Sequence, residues 1–343
     1  MVEPLSDSFE SADSMVYGRL MRAWDLVGPS SKPELPENAD GVYVLSRVTL
    51  GADIKIVSPI LDAMKRRFPA SRIVFVGNRK SAELFECDSR IEHLEANYPR
   101  SGSVAERIGF AEQLRRQFAG PKVIVIDPDS RISQLGLVPL CDPSRHFHFP
   151  SRTVGGDGPA NLTSLVQSWL LEMFRIQGKA YIAPAAQAAD APHFAAVSLG
   201  VGGNDSKRLP GNFEARLLGE LGSQFPALWV DRGAGGEEAG RVTAAVEASG
   251  VANKVRYWEG SFAAFASIIS QSRFYAGYDS AGQHAAAACG VPLFSVFAGA
   301  PSERFENRWT PSGPGTVHSV SIRTHSADEC IAELAKATAM IKL

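Results

Sequence analysis

The stretch YAGYDSAGQHAAAACGVPLFSVF, residues 275–297, decides how this chain reads. Two apolar runs flank an alanine-rich stretch, which is the pattern of a strand, a helix and a second strand in a parallel α/β sheet. Where the first run ends stand a carboxylate, Asp279, and a hydroxyl, Ser280. Two small residues, Ala281 and Gly282, and an imidazole, His284, come next in the same turn and helix start. Open α/β sheets bind ligands beyond the carboxyl ends of their strands. A helix start carries free N–H groups and the positive end of the dipole, which suits a phosphate. Ala281 and Gly282 let an anion approach the backbone, and His284 lies one helical turn past Ser280 on the same face. A second role fits the same residues: Asp279 or Ser280 caps the helix and His284 bonds a neighbour.

Outward from this unit, the alternation continues. FAAVSLGVG, ALWVDRG, KVRYWEG, RFYAGYDS and PLFSVFAG read as five strands joined by four amphipathic helices, a doubly wound series. An Ala/Pro-rich boundary, residues 183–193, precedes it. Upstream, GVYVLSRV, SRIVFVGN and KVIVIDPD are strands, with helices at 52–68, 79–86 and 164–178. The fold class is therefore α/β, two tandem Rossmann-like domains with a ligand cleft expected between them. We place an extension and linker at 1–40, with a short helix over 15–26. An N-terminal domain spans 41–185 and a C-terminal domain 186–343. No fixed-period repeat is present.

The composition excludes several classes. The chain has 343 residues and 45% apolar content, ordinary for a soluble globular protein, and a net charge of -2. That balance argues against a nucleic-acid partner. No run approaches the length of a membrane span, and the acidic first 20 residues lack a signal-peptide core. Cys87, Cys141, Cys289 and Cys330 are far apart and form no CxxC pair, so neither zinc nor a disulfide framework is indicated, and a reducing cytoplasm fits. No GxGxxG follows any strand, which sets aside nicotinamide chemistry.

Other strand ends carry further candidates. Lys207, in VGGNDSKRLPGNF, stands at the carboxyl end of the first strand of the C-terminal domain, where it reaches a phosphate or simply solvent. Glu237 and Glu238 follow the next strand as ribose-hydroxyl acceptors or as first-turn acids. Asp53, after the first strand of the chain, fits a general base or an N-cap. Asp127, Asp129 and Arg131 end a later strand of that domain and are acceptor-side candidates.

Three stretches resemble the motifs of the bacterial heptosyltransferases, the ADP-heptose:lipopolysaccharide type. YDSAGQHAAAACGVPLFSVFAGAPSERFENRW resembles their late motif: an Asp-Thr/Ser pair, a His four after the hydroxyl, an Ala-rich helix and a Gly-x-Pro step. DSKRLPGNFEARLLGEL resembles their Lys-x-Trp-Pro stretch, and GADIKIVSPILDAMKRRFP their Gly-Asp start with a Pro six residues after the Asp. The chain departs from the pattern at Ala52, which separates Gly51 from Asp53, at Leu209 in place of Trp, and at Ala281 in place of Gly.

The resemblance implies a GT-B type fold and an inverting, metal-independent glycosyltransferase without cofactor. The donor is a nucleotide sugar, ADP-heptose first, and the acceptor a hydroxyl, such as that of a lipopolysaccharide core. It implies Asp53 as catalytic base, Lys207 at the donor phosphates, and Ser280, Ala281, Gly282 and His284 as the diphosphate turn. Asp279 holds the donor beside that turn, and Glu238, with Glu237 as the alternative, contacts ribose. Location is cytoplasmic, with at most peripheral contact at an inner membrane through a basic face of Lys65, Arg66, Arg67, Arg72, Arg115 and Arg116. Two other classes remain: a sugar-nucleotide epimerase-like enzyme, and a non-catalytic nucleotide-sugar-binding protein.

Overall fold

A computed structural model of the chain describes residue 33 and residues 35–341, apart from Leu137, Asp157, Asp190, Pro192, Gly203 and Ala234. The helix expected over 15–26 and most of the 1–40 extension lie outside the described residues. The chain forms two compact units. Unit 1 holds the described residues through Tyr181 together with Pro301–Arg308, and unit 2 those of 182–300 and 309–341.

Unit 1 carries a parallel sheet of five strands: β1 (Gly41–Leu45), β2 (Arg72–Gly77), β3 (Ile91–Glu95), β4 (Val123–Asp127) and β5 (His146–His148), in the order β3-β2-β1-β4-β5. The sequence reading found β1, β2 and β4. It missed β3, whose residues IEHLE are mostly exposed, and β5, which is three residues long. Neither shows the β-branched run that marks a central strand. Leu45, Val76, Val125, Phe118 and Ile132 pack in one buried cluster against the sheet.

The helix after β1 runs over 50–67 and contains a π segment, Asp53–Val57. Pro59 explains it. Proline has no N–H and its ring collides with the carbonyl four residues back, so a regular ladder cannot continue there. A widened turn relieves the collision. Ser58 Oγ then donates to the Ile54 carbonyl at 2.6 Å. Within this segment Asp53 and Lys55 are both buried.

Residues 301–308 group with unit 1 because two buried arginines clasp its 151–156 turn. Arg304 donates to the carbonyls of Arg152, at 2.7 Å, and Gly156, at 3.0 Å. Arg308 donates to those of Val154, at 2.8 Å, and Ser151.

Unit 2 carries six parallel strands: β6 (Phe194–Ser198), β7 (Ala227–Asp231), β8 (Val255–Trp258), β9 (Phe274–Tyr278), β10 (Leu293–Phe297) and β11 (Val317–Ser321). Their order is β11-β10-β9-β6-β7-β8. The five strands read from the sequence are all present, and β11 adds an edge beside β10. Val197, Leu218, Val230, Val242, Tyr278 and Val296 share one buried cluster with the helices on that face. The helix Ala327–Ala339, also missed, opens with a capping box between Ser326 and Glu329.

Both sheets have a topological switch point. In unit 2 the chain runs from β6 outward through β7 and β8, then returns to β9 on the other side of β6. In unit 1 the switch lies between β1 and β4. The loops that leave such a neighbouring pair diverge to opposite faces and open a crevice at the carboxyl ends. No helix among the described residues is long and apolar enough to cross a membrane.

Candidate functional site

The candidates in unit 2 collect at its switch point. Ser198, the last residue of β6, lies in register with Gly277 of β9. Lys207 is in the loop after β6, and Asp279 to His284 follow β9. Lys207 Nζ donates to Asp279 Oδ2 at 2.8 Å and to the Asp279 carbonyl at 3.3 Å, although 72 residues separate them. Gln283 Nε2 donates to the other carboxylate oxygen at 2.6 Å. Both lone-pair faces of Asp279 are thus engaged, which fixes the lysine over the turn. Gly299 lets this happen. A Cβ there would lie 2.3 Å from the Ser206 carbonyl, so only glycine allows the loop after β10 to pass the loop that carries Lys207.

The helix Ala281–Ala288 begins at Ser280, which holds the extended N-cap conformation, φ -152 and ψ -177. Its hydroxyl makes no cap hydrogen bond, and Oγ is buried without a partner among the described residues. The capping role that the sequence left open is not realised by either residue: Asp279 turns to Lys207 and Gln283, and Ser280 is unsatisfied. Beneath this turn Tyr275, fully buried, aims an equally unpartnered hydroxyl at the first helical residues. A Cβ on Gly282 would stand 2.1 Å from that oxygen. Burial and nearby carboxylates push the Tyr275 hydroxyl pKa up, so it remains a neutral donor. His284 is buried, with Nε2 3.5 Å from Gln283 Nε2 and its ring 5.9 Å from that of Trp309.

The structure separates the two glutamates after β7. Glu237 is exposed. Glu238 leans back over the strand ends, with its oxygens 2.8 Å from a Cβ position at Gly200 and 2.9 Å from one at Gly233. Two arginines that sequence reasoning missed flank it: Arg208 Nη2 at 3.8 Å and Arg241 Nη2 at 4.0 Å. Arg241 also pairs with Glu214, a buried acid of the next helix over. Asp231 ends β7 and accepts from Gly233 N at 2.9 Å, and burial raises its pKa. These residues stand far apart in sequence and match no spacing pattern. Only Asp231, at the end of β7, carried a signal, its position at a strand end.

In unit 1 the candidates flank the other switch point. Asp53 is fully buried. Its carboxylate accepts from Arg47 N at 2.6 Å and from Ser46 Oγ at 2.8 Å, which ties the helix to the end of β1. It is not an N-cap: Thr49 holds that position. Burial pushes the Asp53 pKa up to about 6, against the hydrogen bonds and the Arg47 charge, which lower it. That value suits proton transfer near neutrality.

Asp127 and Asp129, at the end of β4, are also fully buried. Asp129 accepts from Arg152 N at 2.7 Å and pairs with His148 Nε2 at 2.8 Å. Burial raises the Asp129 pKa, but the His148 hydrogen bond and the charges of His148, Arg152 and Arg47 bring it below the usual carboxylate range. Burial lowers the pKa of His148, and Asp129 more than reverses this. The two form a buried ion pair. Asp127 accepts from Ser130 N at 2.7 Å, while its other oxygen faces His146 Nε2 at 3.6 Å with neither atom hydrogen-bonded. Burial lowers the His146 pKa to about 4. Arg131 lies half-buried in the next turn.

The basic face expected on unit 1 is largely paired. Lys65 contacts Asp88, Arg66 Asp62, Arg72 Glu92 and Arg115 Glu112. These residues offer little uncompensated charge. Among the described residues, no three His, Cys, Asp or Glu side chains come together as a metal site.

No protein-family model matches the sequence, and no curated protein matches it significantly. Solved structures do match in fold. A family 9 glycosyltransferase from Veillonella parvula DSM 2008 superposes with a TM-score of 0.61 at 15% identity, covering 90% of this chain and 92% of that one. The E. coli heptosyltransferase WaaC with ADP gives 0.59 at 16% identity, over 87% of this chain and 99% of that one. E. coli ADP-heptose lipopolysaccharide heptosyltransferase II gives 0.55 at 13%, over 87% and 98%. The chain therefore has the two-Rossmann-domain fold of these glycosyltransferases, in agreement with the resemblance read from its motifs.

Proposed function

We propose that the protein is an inverting glycosyltransferase that moves a sugar, heptose first, from a nucleoside-diphosphate sugar such as ADP-heptose to a hydroxyl acceptor of the lipopolysaccharide-core kind, in the cytoplasm. The observation that carries this reading is the Lys207–Asp279 pair, 2.8 Å apart, beside an uncapped helix start with a buried, unpartnered Ser280 hydroxyl. An anion at this turn meets the lysine charge, free N–H groups and the Ser280 hydroxyl at once. Fixed donors of this kind stabilise a departing diphosphate without a divalent ion. Glu238 takes the ribose hydroxyls. His284 supports the turn under Trp309.

Glycosyl transfer passes through an oxocarbenium-like state, and the attacking hydroxyl must lose its proton as the new bond forms. Asp53 is the base of this reading, supported by its pKa of about 6. Asp129 is held as an anion by His148 and Arg152, so it serves as an orienting acceptor rather than a proton carrier.

The test is mass spectrometry of products after incubation with ADP-heptose and acceptor extracts. A new species heavier by one heptose unit, with the anomeric configuration inverted by NMR, supports the proposal. Absence of transfer from ADP-, UDP- and GDP-sugars alike overturns it.

A further inference from the structure

Two adjacent cations in the loop after β6 reach to opposite neighbours of that strand. Lys207 contacts Asp279, beyond β9. Arg208 approaches Glu238, beyond β7, at 3.8 Å. A single turn, Asp205–Lys207, thus leads into a bridge across the switch strand. Arg208 is anchored by Asp205 Oδ1 at 2.6 Å. Arg241 comes to Glu238 from one helical turn along, and is anchored by the Leu199 carbonyl at 3.1 Å and by Glu214.

The distances decide what the arginines do. At 3.8 and 4.0 Å they attract the Glu238 carboxylate but do not hydrogen-bond it. Glu238 makes no hydrogen bond among the described residues, and its side chain is 32% exposed. It is a carboxylate held in place by charge, partly exposed, with its lone pairs not taken up by hydrogen bonds among the described residues. A neutral diol meets those lone pairs; an anion is repelled by them.

We infer that Arg208, assisted by Arg241, is a positioning residue that presents Glu238 to the ribose hydroxyls of the donor. This rests on reading unit 2 as a nucleoside-diphosphate site. Its consequence is selectivity. Wild-type protein discriminates ribose from deoxyribose, and the discrimination depends on a residue that touches neither.

Titration calorimetry on the full chain tests it. ADP, UDP and GDP are ranked first, and the tightest is compared with its 2′-deoxy and 3′-deoxy forms and with inorganic pyrophosphate. A hydrogen bond to a charged acceptor gives the wild type a preference of about tenfold or more for ribose over one deoxy form. Arg208→Gln is expected to reduce that preference at least threefold, by roughly half of a tenfold effect on the logarithmic scale. Pyrophosphate affinity should be unchanged, which also shows that the variant is folded. Arg208→Lys should fall between, because an ammonium cannot span Asp205 and Glu238 together. Arg241→Gln, which leaves the loop intact, should narrow the same preference. Ribose and deoxyribose affinities that fall equally in both Gln variants overturn the inference and leave the donor site standing. A wild type that binds no nucleoside diphosphate overturns the functional reading itself.

Discussion

Asp53→Asn should reverse its effect on stability between acid and mildly alkaline pH. Asp53 is fully buried, and its pKa rises from 3.8 to about 6 on folding. A raised folded-state pKa contributes stability that is fully present below 3.8 and is lost as pH rises through about 6. The gap corresponds to roughly 3 kcal/mol, at about 1.4 kcal/mol per pKa step. Asparagine carries no charge and does not suffer that loss. It does disturb hydrogen bonding. Ser46 Oγ donates to Asp53 and already accepts from Val48 N at 2.8 Å, so an amide donor facing it displaces the hydroxyl proton. That costs about 1 kcal/mol. The variant should therefore be about 1 kcal/mol less stable near pH 3 and about 2 kcal/mol more stable near pH 8. His146, His148 and Asp129 titrate in both proteins and drop out of the difference. Urea midpoints across this range measure it. Parallel curves for the two proteins would refute the burial argument. Transfer rate on the same preparations separates scaffold from base: loss of a general base lowers turnover about 10²- to 10⁴-fold even where the variant is the more stable protein. Normal turnover would remove Asp53 as base.

Three further outcomes follow from unit 2. Lys207→Ala should weaken nucleoside-diphosphate binding about 10- to 100-fold, and combining it with Asp279→Asn should cost less than the sum, because the two touch; strict additivity in calorimetry would show that they act apart. Gly282→Ala should lower the thermal midpoint and abolish diphosphate binding, since its Cβ would stand 2.1 Å from the Tyr275 hydroxyl and 2.6 Å from the ring carbon that bears it. Unchanged binding in that variant contradicts the close approach. Transfer should survive EDTA, and activity lost to EDTA and restored by magnesium would place the diphosphate charge on a metal.

The central strands were legible because a strand buried on both faces must be an apolar run. FAAVS, FYAGY and LFSVF are buried at every position, and no polar residue interrupts them apart from Ser198 and Ser295. Edge strands carry no such requirement. IEHLE alternates too weakly to be seen, and VHSVS has one buried residue. Two missed helices did announce themselves, through the Ser-x-x-Glu boxes at Ser103 and Ser326. The π segment was written in Pro59, seven residues into the helical pattern after Ala52, but its effect on where Asp53 points needs three-dimensional packing.

The site divides along the same line. Asp279, Ser280 and His284 lie within six residues at one strand-to-helix turn, so local spacing brings them together. The Lys207–Asp279 contact depends on strand order, which places β6 beside β9. Arg208, Arg241 and Glu214 are ordinary helix and loop residues in sequence, and only the fold gathers them around Glu238.

Hydrogen–deuterium exchange with and without the tightest nucleoside diphosphate tests the central claim, that the donor sits at the switch point of unit 2. The account predicts slowed exchange in peptides spanning 204–210 and 277–288, with the amides of Ala281, Gly282 and Gln283 protected most. Protection confined to the opposite, amino-terminal end of the sheet, where Arg273, Cys289 and His318 line a cavity, or no protection in 277–288, would contradict it.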